Sequence, residues 1–253
     1  MRQEYKFLIA DKRLDHLQSC LGPFVRLDPY TQDRKNHEYI VRSIYFDTTS
    51  LLFYHEKIAG LKDRKKIRIR AYNEHNGSSQ VFLEIKRKHE NFINKSRAPI
   101  SYTDLDSFFT AREPEQFIVN GNSKRSCNQF LYYVNAQGLK PTVLVVYDRA
   151  AFFSKFNSDL RITIDKNLRF YAFPEFFELF DDAGLQQALN GYSILEIKFN
   201  RGFPNWLQKI IKDFGLTRQA LSKYTMCLDA QKNLFPENRR SILPFNRALP
   251  SCY

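Results

Sequence analysis

The sequence predicts an α+β fold: an antiparallel β tunnel barrel of about eight strands, with a charged lumen and amphipathic helices packed outside. Three observations carry this expectation. Several segments alternate apolar and charged residues with period two, which argues half-buried strands. Their polar faces hold chiefly Arg, Lys and Glu, not the Thr, Ser and Gln of an ordinary solvated face. Amphipathic helical segments lie between them and are available to cover the apolar faces. For any one strand, a charged face turned to water is the simpler reading. Repeated over so many strands, it argues a closed or highly curved sheet with the charge turned inward, a basic tunnel able to hold a polyanion.

The central stretch runs from Lys65 to Lys88. Lys66, Arg68 and Arg70 share one face, and Ile67, Ile69 and Ala71 share the other. After a turn through Asn76-Gly77-Ser78-Ser79, Glu84, Lys86 and Lys88 oppose Leu83, Ile85 and Arg87, which predicts a strand pair. Ahead of it, Glu4–Ile9 reads as a strand, and Asp11 as the N-cap of a helix to Leu21 that Gly22-Pro23 ends. Tyr39–Asp47 is a β-branched and aromatic strand, and Ser50–Ile58 a short helix carrying Lys57. Phe92–Arg97 reads as a loop bearing Lys95 and Arg97. Helices are expected at Asp104–Phe109, Lys124–Ala136, Pro204–Phe214 and Ser222–Leu234. Strands are expected at Thr142–Arg149, Leu160–Asp165 and Ser193–Phe199, the last placing Glu196 beside Lys198. No linker or repeat interrupts the chain, so residues 1–235 form one expected domain. Residues 236–253 have three prolines and no period, and read as a tail laid on the surface or disordered.

Composition narrows the partner. Lys and Arg number 39 against 27 Asp and Glu, a formal charge of +12, so an anionic partner is expected. The 4 cysteines have no ligand-like spacing, which points to a reducing, cytoplasmic setting and neither a zinc site nor a disulfide framework. The charged start lacks a signal-peptide core, and no apolar run reaches membrane-spanning length. The five His (16, 37, 55, 75 and 89) are scattered, and none is assigned chemistry. Tyr45 and Phe46 read as core, and Arg87, Lys88 and Arg97 as surface charge.

An ordered series of motifs then carries a family resemblance. The pieces are Glu4-Tyr5-Lys6, Ser43-Ile44-Tyr45-Phe46-Asp47, Lys57, Lys66-Ile67-Arg68-Ile69-Arg70 and Phe82-Leu83-Glu84-Ile85-Lys86-Arg87-Lys88. Lys95, Tyr147-Asp148-Arg149, Arg161-Ile162-Thr163-Ile164-Asp165, Leu195-Glu196-Ile197-Lys198 and Ser222-Lys223-Tyr224 continue it. Together they resemble the polyphosphate polymerase domain of the vacuolar transporter chaperone (VTC) family, within the triphosphate tunnel metalloenzymes. The resemblance implies an antiparallel tunnel that binds ATP or another nucleoside triphosphate with Mn²⁺ or Mg²⁺. It implies transfer of the γ-phosphoryl group to a growing polyphosphate, and the stand-alone form seen in prokaryotes, docking on a separate membrane partner.

The chemistry asks for these residue types. Arg68, Arg70, Arg149 and Arg161 offer planar forks for phosphate oxygens, while Lys6, Lys57, Lys86, Lys95, Lys198 and Lys223 act as point charges. Of these, Arg68, Arg70, Lys86, Arg149, Arg161 and Lys223 are the expected catalytic set. Ser222 reads equally as a phosphate donor and as a helix N-cap. For a divalent cation, Glu196 leads as an acid isolated on a basic face, with Glu84 and Glu4 assisting. Related hydrolases and cyclases open with Glu-x-Glu-x-Lys; here Arg2 stands at the first acidic position, which argues against hydrolysis. Two alternatives remain: a triphosphatase of the same superfamily, releasing phosphate, and a non-catalytic polyphosphate-binding subunit. A nucleic-acid partner is not expected, because the basic residues sit on strand faces rather than in an aromatic surface stripe.

Overall fold

The computed structural model describes residues 3–231 apart from 33, 91, 119, 120, 158 and 201, so the expected tail lies outside the described residues. In chain order the elements are β1 (Gln3–Ala10), α1 (Leu14–Leu21), β2 (Val25–Leu27), α2 (Pro29–Gln32), β3 (Glu38–Asp47) and α3 (Leu52–Ile58). Then come β4 (Arg64–Tyr72), β5 (Gln80–His89), β6 (Phe92–Ser101), α4 (Leu105–Thr110) and α5 (Gly121–Ala136). The chain continues through β7 (Lys140–Ser154), β8 (Arg161–Ala172), β9 (Gln186–Gln187), β10 (Tyr192–Phe199), α6 (Asn205–Asp213) and α7 (Lys223–Ala230).

All ten strands join one antiparallel sheet, whose main path runs β1-β10-β8-β7-β3-β4-β5-β6. Among the described residues no ladder joins β1 to β6, so the backbone does not close as a barrel. Side chains and a coil segment bridge the gap instead. Lys86 Nζ on β5 lies 3.9 Å from Glu4 Oε2 on β1. Gln219 N–H donates to the Lys6 carbonyl at 2.8 Å, and Lys57 Nζ donates to the Ala220 carbonyl at 3.2 Å.

Period two sorts the side chains as expected. Ile67, Ile69, Leu83 and Ile85 are fully buried on the outer face, under Phe108 of α4 and Phe130 of α5. Phe7, Ile162 and Ile197 likewise meet Leu17 of α1 and Leu207 of α6. Arg87, in the apolar phase of β5, lies exposed with its guanidinium 6.0 Å from the Tyr133 ring.

Four details depart from the expectations. The predicted loop at Phe92–Arg97 is the start of strand β6, which pairs along all of β5. Asp11 caps no helix: it sits in a short 3₁₀ turn, and its carboxylate accepts from the Ser193 hydroxyl at 2.6 Å. Tyr45 is buried but faces the lumen side, with only Phe46 in the outer core. The fourth concerns α7, which packs inside rather than outside. Tyr224, Cys227 and Leu228 bury against Val41, Tyr45, Val143, Val145 and Phe170, which share their strand phases with the lumen charges. The concave face is therefore part apolar core and part charged cavity, with the start of α7 at their border.

Candidate functional site

The charged part of the concave face encloses a cavity of about 720 Å³. Register explains its lining. Lys66 lies opposite Lys86 and Lys86 opposite Lys95; Arg68 lies opposite Glu84 and Glu84 opposite Arg97. Across the sheet Arg149 faces Asp165, Thr163 faces Glu196, and Lys6 faces Glu196. A bulge puts three steps of β8, Lys166 to Arg169, against two of β7, Val146 to Asp148, and shifts the phase of β8 so that Asp165 and Phe170 lie on one face.

The structure brings almost all the expected residues to this cavity: Glu4, Lys6, Arg68, Arg70, Glu84, Lys86, Lys95, Arg149, Arg161, Glu196, Lys198, Ser222 and Lys223. Lys57 is the exception. It lies at the end of α3, beyond the cavity wall, on the Ala220 carbonyl. Ser222 does serve as the N-cap of α7, accepting from Thr225 N–H, and its hydroxyl also accepts from Lys66 Nζ at 2.8 Å.

Two arginine centres are built differently. Arg68 donates to Glu84 at 2.7 Å and to the Tyr45 hydroxyl at 2.7 Å, so two acceptors hold its plane. Arg149 grips Asp165 with two bonds of 2.5 and 2.8 Å, and Lys223 also contacts Asp165. Burial alone would raise the Asp165 pKa; Arg149 and Lys223 outweigh it and hold it at about 2. Lys223 Nζ lies 4.6 Å from the Tyr147 ring, which keeps the ammonium aimed into the cavity.

The lysines diverge. Lys6 lies 3.0 Å from Glu4 and 3.5 Å from Glu196, and these carboxylates raise its pKa against the effect of burial. Burial pushes Lys198 down to about 8, although Glu196 opposes. Lys66 falls well below its ordinary value, through burial first and then the neighbouring charges of Lys6 and Lys86.

The three carboxylates expected for a metal are not brought into one group. Glu84 lies among arginines, 2.6 Å from Arg68, 3.7 Å from Arg70 and 3.5 Å from Arg97. Among the described residues no cluster of three or more acidic, His or Cys side chains forms a ready metal site. Glu4 and Glu196 do share Lys6, on adjoining strands. Burial works against ionised Glu196, yet Lys6 and Lys198 hold its pKa well below the usual range. Beside it the buried Thr163 Oγ1 has no hydrogen-bond partner among the described residues. Two carboxylates and an unpartnered hydroxyl suit one oxygen-seeking divalent cation that takes its other ligands from phosphate and water.

Three further residues line the cavity. Lys66 lies on the charged face but is not among the sequence candidates, Tyr45 belongs to the buried core as expected and also bonds Arg68, and Arg97 is exposed as expected yet reaches the cavity edge. Arg97 stacks its guanidinium 3.5 Å from the Phe82 ring centre. Its strict alternation with Lys95 was the available signal.

The fold and the site together define a curved antiparallel sheet whose inner face carries a basic cavity, with arginine forks and lysines turned inward. The VTC domain profile matches residues 1–231, and the chain belongs to that family. It is 24% identical over 210 residues to vacuolar transporter chaperone complex subunit 4 of Trypanosoma brucei brucei, covering 68% of this chain and 26% of that one. The Schizosaccharomyces pombe subunit 4 is 23% identical over 250 residues, covering 81% of this chain and 33% of its own. The chain thus spans only about a quarter to a third of the length of these relatives. A solved Hippeastrum protein, described as a putative adenylyl cyclase with a dominant triphosphatase activity, aligns over 90% of this chain and 95% of its own. Its TM-score is 0.47 at 14% identity. No helix among the described residues is long and apolar enough to cross a membrane.

Proposed function

We propose that this chain is a divalent-metal-dependent polyphosphate polymerase that transfers the γ-phosphoryl group of ATP to the end of a polyphosphate chain. The observation that carries the reading is the inward basic lining of one cavity by residues from seven strands and α7, in a chain of the VTC family. In the transfer, a terminal oxygen of the acceptor chain attacks the γ-phosphorus. The bond to the β,γ-bridging oxygen breaks, and that oxygen leaves on ADP with the electron pair. The protein supplies positioning and charge rather than a covalent partner.

Arg68 and Arg70 come from β4, Arg149 from β7 on the other side of β3, and Lys223 from the start of α7, so a phosphoryl group among them would meet cations from three elements. Lys6, Lys86, Lys95 and Lys198 neutralise the chain beyond it. Glu4 and Glu196 would hold Mn²⁺ or Mg²⁺, which when bound neutralises phosphate oxygens. Lys6 and Lys198, released from those carboxylates, would then have phosphate oxygens as partners. We assign the working site to the cytoplasmic side, with any membrane attachment through a partner protein.

The test is incubation of the purified chain with ATP and Mn²⁺ or Mg²⁺, followed by gel analysis for polyphosphate and assay of free phosphate. Long chains are expected. Free phosphate alone would make the protein a triphosphatase, and binding without turnover would make it a polyphosphate-binding subunit.

A further inference from the structure

Tyr45 stands where the apolar and charged parts of the concave face meet. It is 6% exposed within the apolar cluster under α7, and it lines the charged cavity as well. Its ring stacks on Tyr224 of α7 at 5.2 Å and 29°, and its register partner on β4 is Arg68. The phenol is thus fixed from two elements. The hydrogen bonds around it are unequal. Arg68 turns Nε and Nη2 to Glu84, at 2.7 and 2.6 Å, and Nη1 donates to the Tyr45 oxygen at 2.7 Å. Each nitrogen of Arg68 therefore has an acceptor, and Tyr45 is the accepting partner in its bond. A phenol donates as well as it accepts, yet the Tyr45 proton has no acceptor among the described residues. A hydroxyl that accepts from a cation is polarised and donates more strongly. Burial works to raise the Tyr45 pKa; the charges of Arg68 and Arg70 outweigh it and bring it below its ordinary value.

We infer that Tyr45 is a catalytic residue whose phenolic proton is hydrogen-bonded to an oxygen of the transferring phosphoryl group, completing a line from Glu84 through Arg68 and Tyr45 to phosphate. The inference rests on the proposed transfer and adds to it a neutral donor beside the arginine forks. No proton changes hands. The attacking and leaving atoms are both phosphate oxygens, so the reaction asks Tyr45 for neither an acid nor a base. The hydroxyl contributes direction instead. Lys223 and the arginines attract a phosphate before and during transfer alike. A hydrogen bond from a ring held on Tyr224 favours one position of the phosphoryl oxygens, and a bond made best in the transition state raises kcat rather than ground-state binding.

The test is kinetic and places Tyr45→Phe in two backgrounds of the full chain, wild type and Arg68→Ala, with thermal melts as the control for folding. The substitution deletes one hydroxyl and leaves the ring in place. In the wild-type background it is expected to lower the kcat of polymer synthesis about 10–100-fold, the size of one lost hydrogen bond to a charged group, with KM for ATP nearly unchanged. In Arg68→Ala the guanidinium is already gone, and a phenol that bonds the phosphate itself still contributes, so Tyr45→Phe should lower kcat again. A phenol that serves only to hold Arg68 would make the double variant equal to Arg68→Ala. That equality overturns the inference, as does a loss that appears in KM alone. Failure of the wild-type chain to make polymer sinks the proposed function and the inference with it. Wild-type synthesis that Tyr45→Phe leaves unaltered sinks the inference alone.

Discussion

The ammonium of Lys66 donates to the hydroxyl of Ser222 at 2.8 Å, tying the lysine row of β4 to the first turn of α7. This hydroxyl is a poor substitute for an anion. Burial first, and then Lys6 and Lys86, hold the Lys66 pKa well below its ordinary value. A phosphate chain entering the cavity supplies the missing negative charge and raises that pKa, so binding takes up protons. Calorimetry of tripolyphosphate binding in two buffers of different ionisation enthalpy should therefore register proton uptake at alkaline pH, with affinity falling as pH rises. Lys66→Met should reduce the uptake, weaken the ligand and raise the Tm of the free protein, because a crowded buried cation is removed. Uptake unchanged in Lys66→Met would be incompatible with this account.

Arg68 and Glu196 test the transfer itself. Arg68→Ala removes one fork of the pair facing the phosphoryl group, and is expected to lower polymer synthesis by about 10²–10³-fold while leaving the circular dichroism spectrum intact. Arg68→Lys should not restore it, since a point charge cannot keep both the Glu84 and Tyr45 contacts. Glu196→Gln preserves shape and removes the carboxylate beside Thr163. Synthesis should then be lost, or demand far more Mn²⁺ or Mg²⁺. Full activity at the wild-type metal concentration would rule out Glu196 as a ligand.

Strands such as β4 and β5 are legible because each buries chiefly one face. Period two then writes the fold directly into residues such as Ile67-Arg68-Ile69-Arg70. Strand β6 was not, because few apolar residues mark its buried phase: Ala98 and Ile100 are buried there, while Ser96 bonds to Gln129 of α5 at 2.8 Å. The inward α7 was illegible for a related reason. Its partners Val41, Val143 and Val145 share a phase with Tyr147 and Arg149, and alternation cannot distinguish an apolar lumen from an apolar exterior. The carboxylates looked alike in sequence, yet the cross-strand neighbours of Glu84 are Arg68 and Arg97, and those of Glu196 are Lys6 and Thr163. That pairing exists only once register is known.

Asp165 makes a stability prediction with a definite sign. Its folded pKa is about 2 against an ordinary 3.8, so its contribution is complete above the ordinary value and is lost as pH falls towards about 2. The shift corresponds to about 2 kcal/mol. Denaturant melts should show a loss of that order between pH 5 and 2, much reduced in Asp165→Asn. At neutral pH the same variant leaves Arg149 and Lys223 buried without a countercharge, and should cost about 3–5 kcal/mol. An Asp165→Asn protein as stable as wild type at pH 7 would refute the assignment.

The last prediction concerns how Lys223 is held. Asp47 is completely buried at the end of β3, where Oδ1 accepts the Thr48 and Phe53 amides at 2.7 and 2.9 Å and Oδ2 accepts the Tyr54 amide at 3.0 Å. Oδ2 also accepts the Tyr224 hydroxyl, the residue next to Lys223, so one carboxylate anchors the starts of α3 and α7 together. Tyr224→Phe deletes only that hydroxyl and leaves the ring stacked on Tyr45 at 5.2 Å. The loss of one buried hydrogen bond should cost about 1–3 kcal/mol. Because the tether is next to Lys223, synthesis should also fall, through kcat more than KM for ATP. Asp47→Ala should be far more destabilising, since three amides lose their acceptor as well. A Tyr224→Phe protein that loses stability but keeps its full kcat would leave Asp47 a purely structural anchor, with Lys223 held by Asp165 and the Tyr147 ring alone.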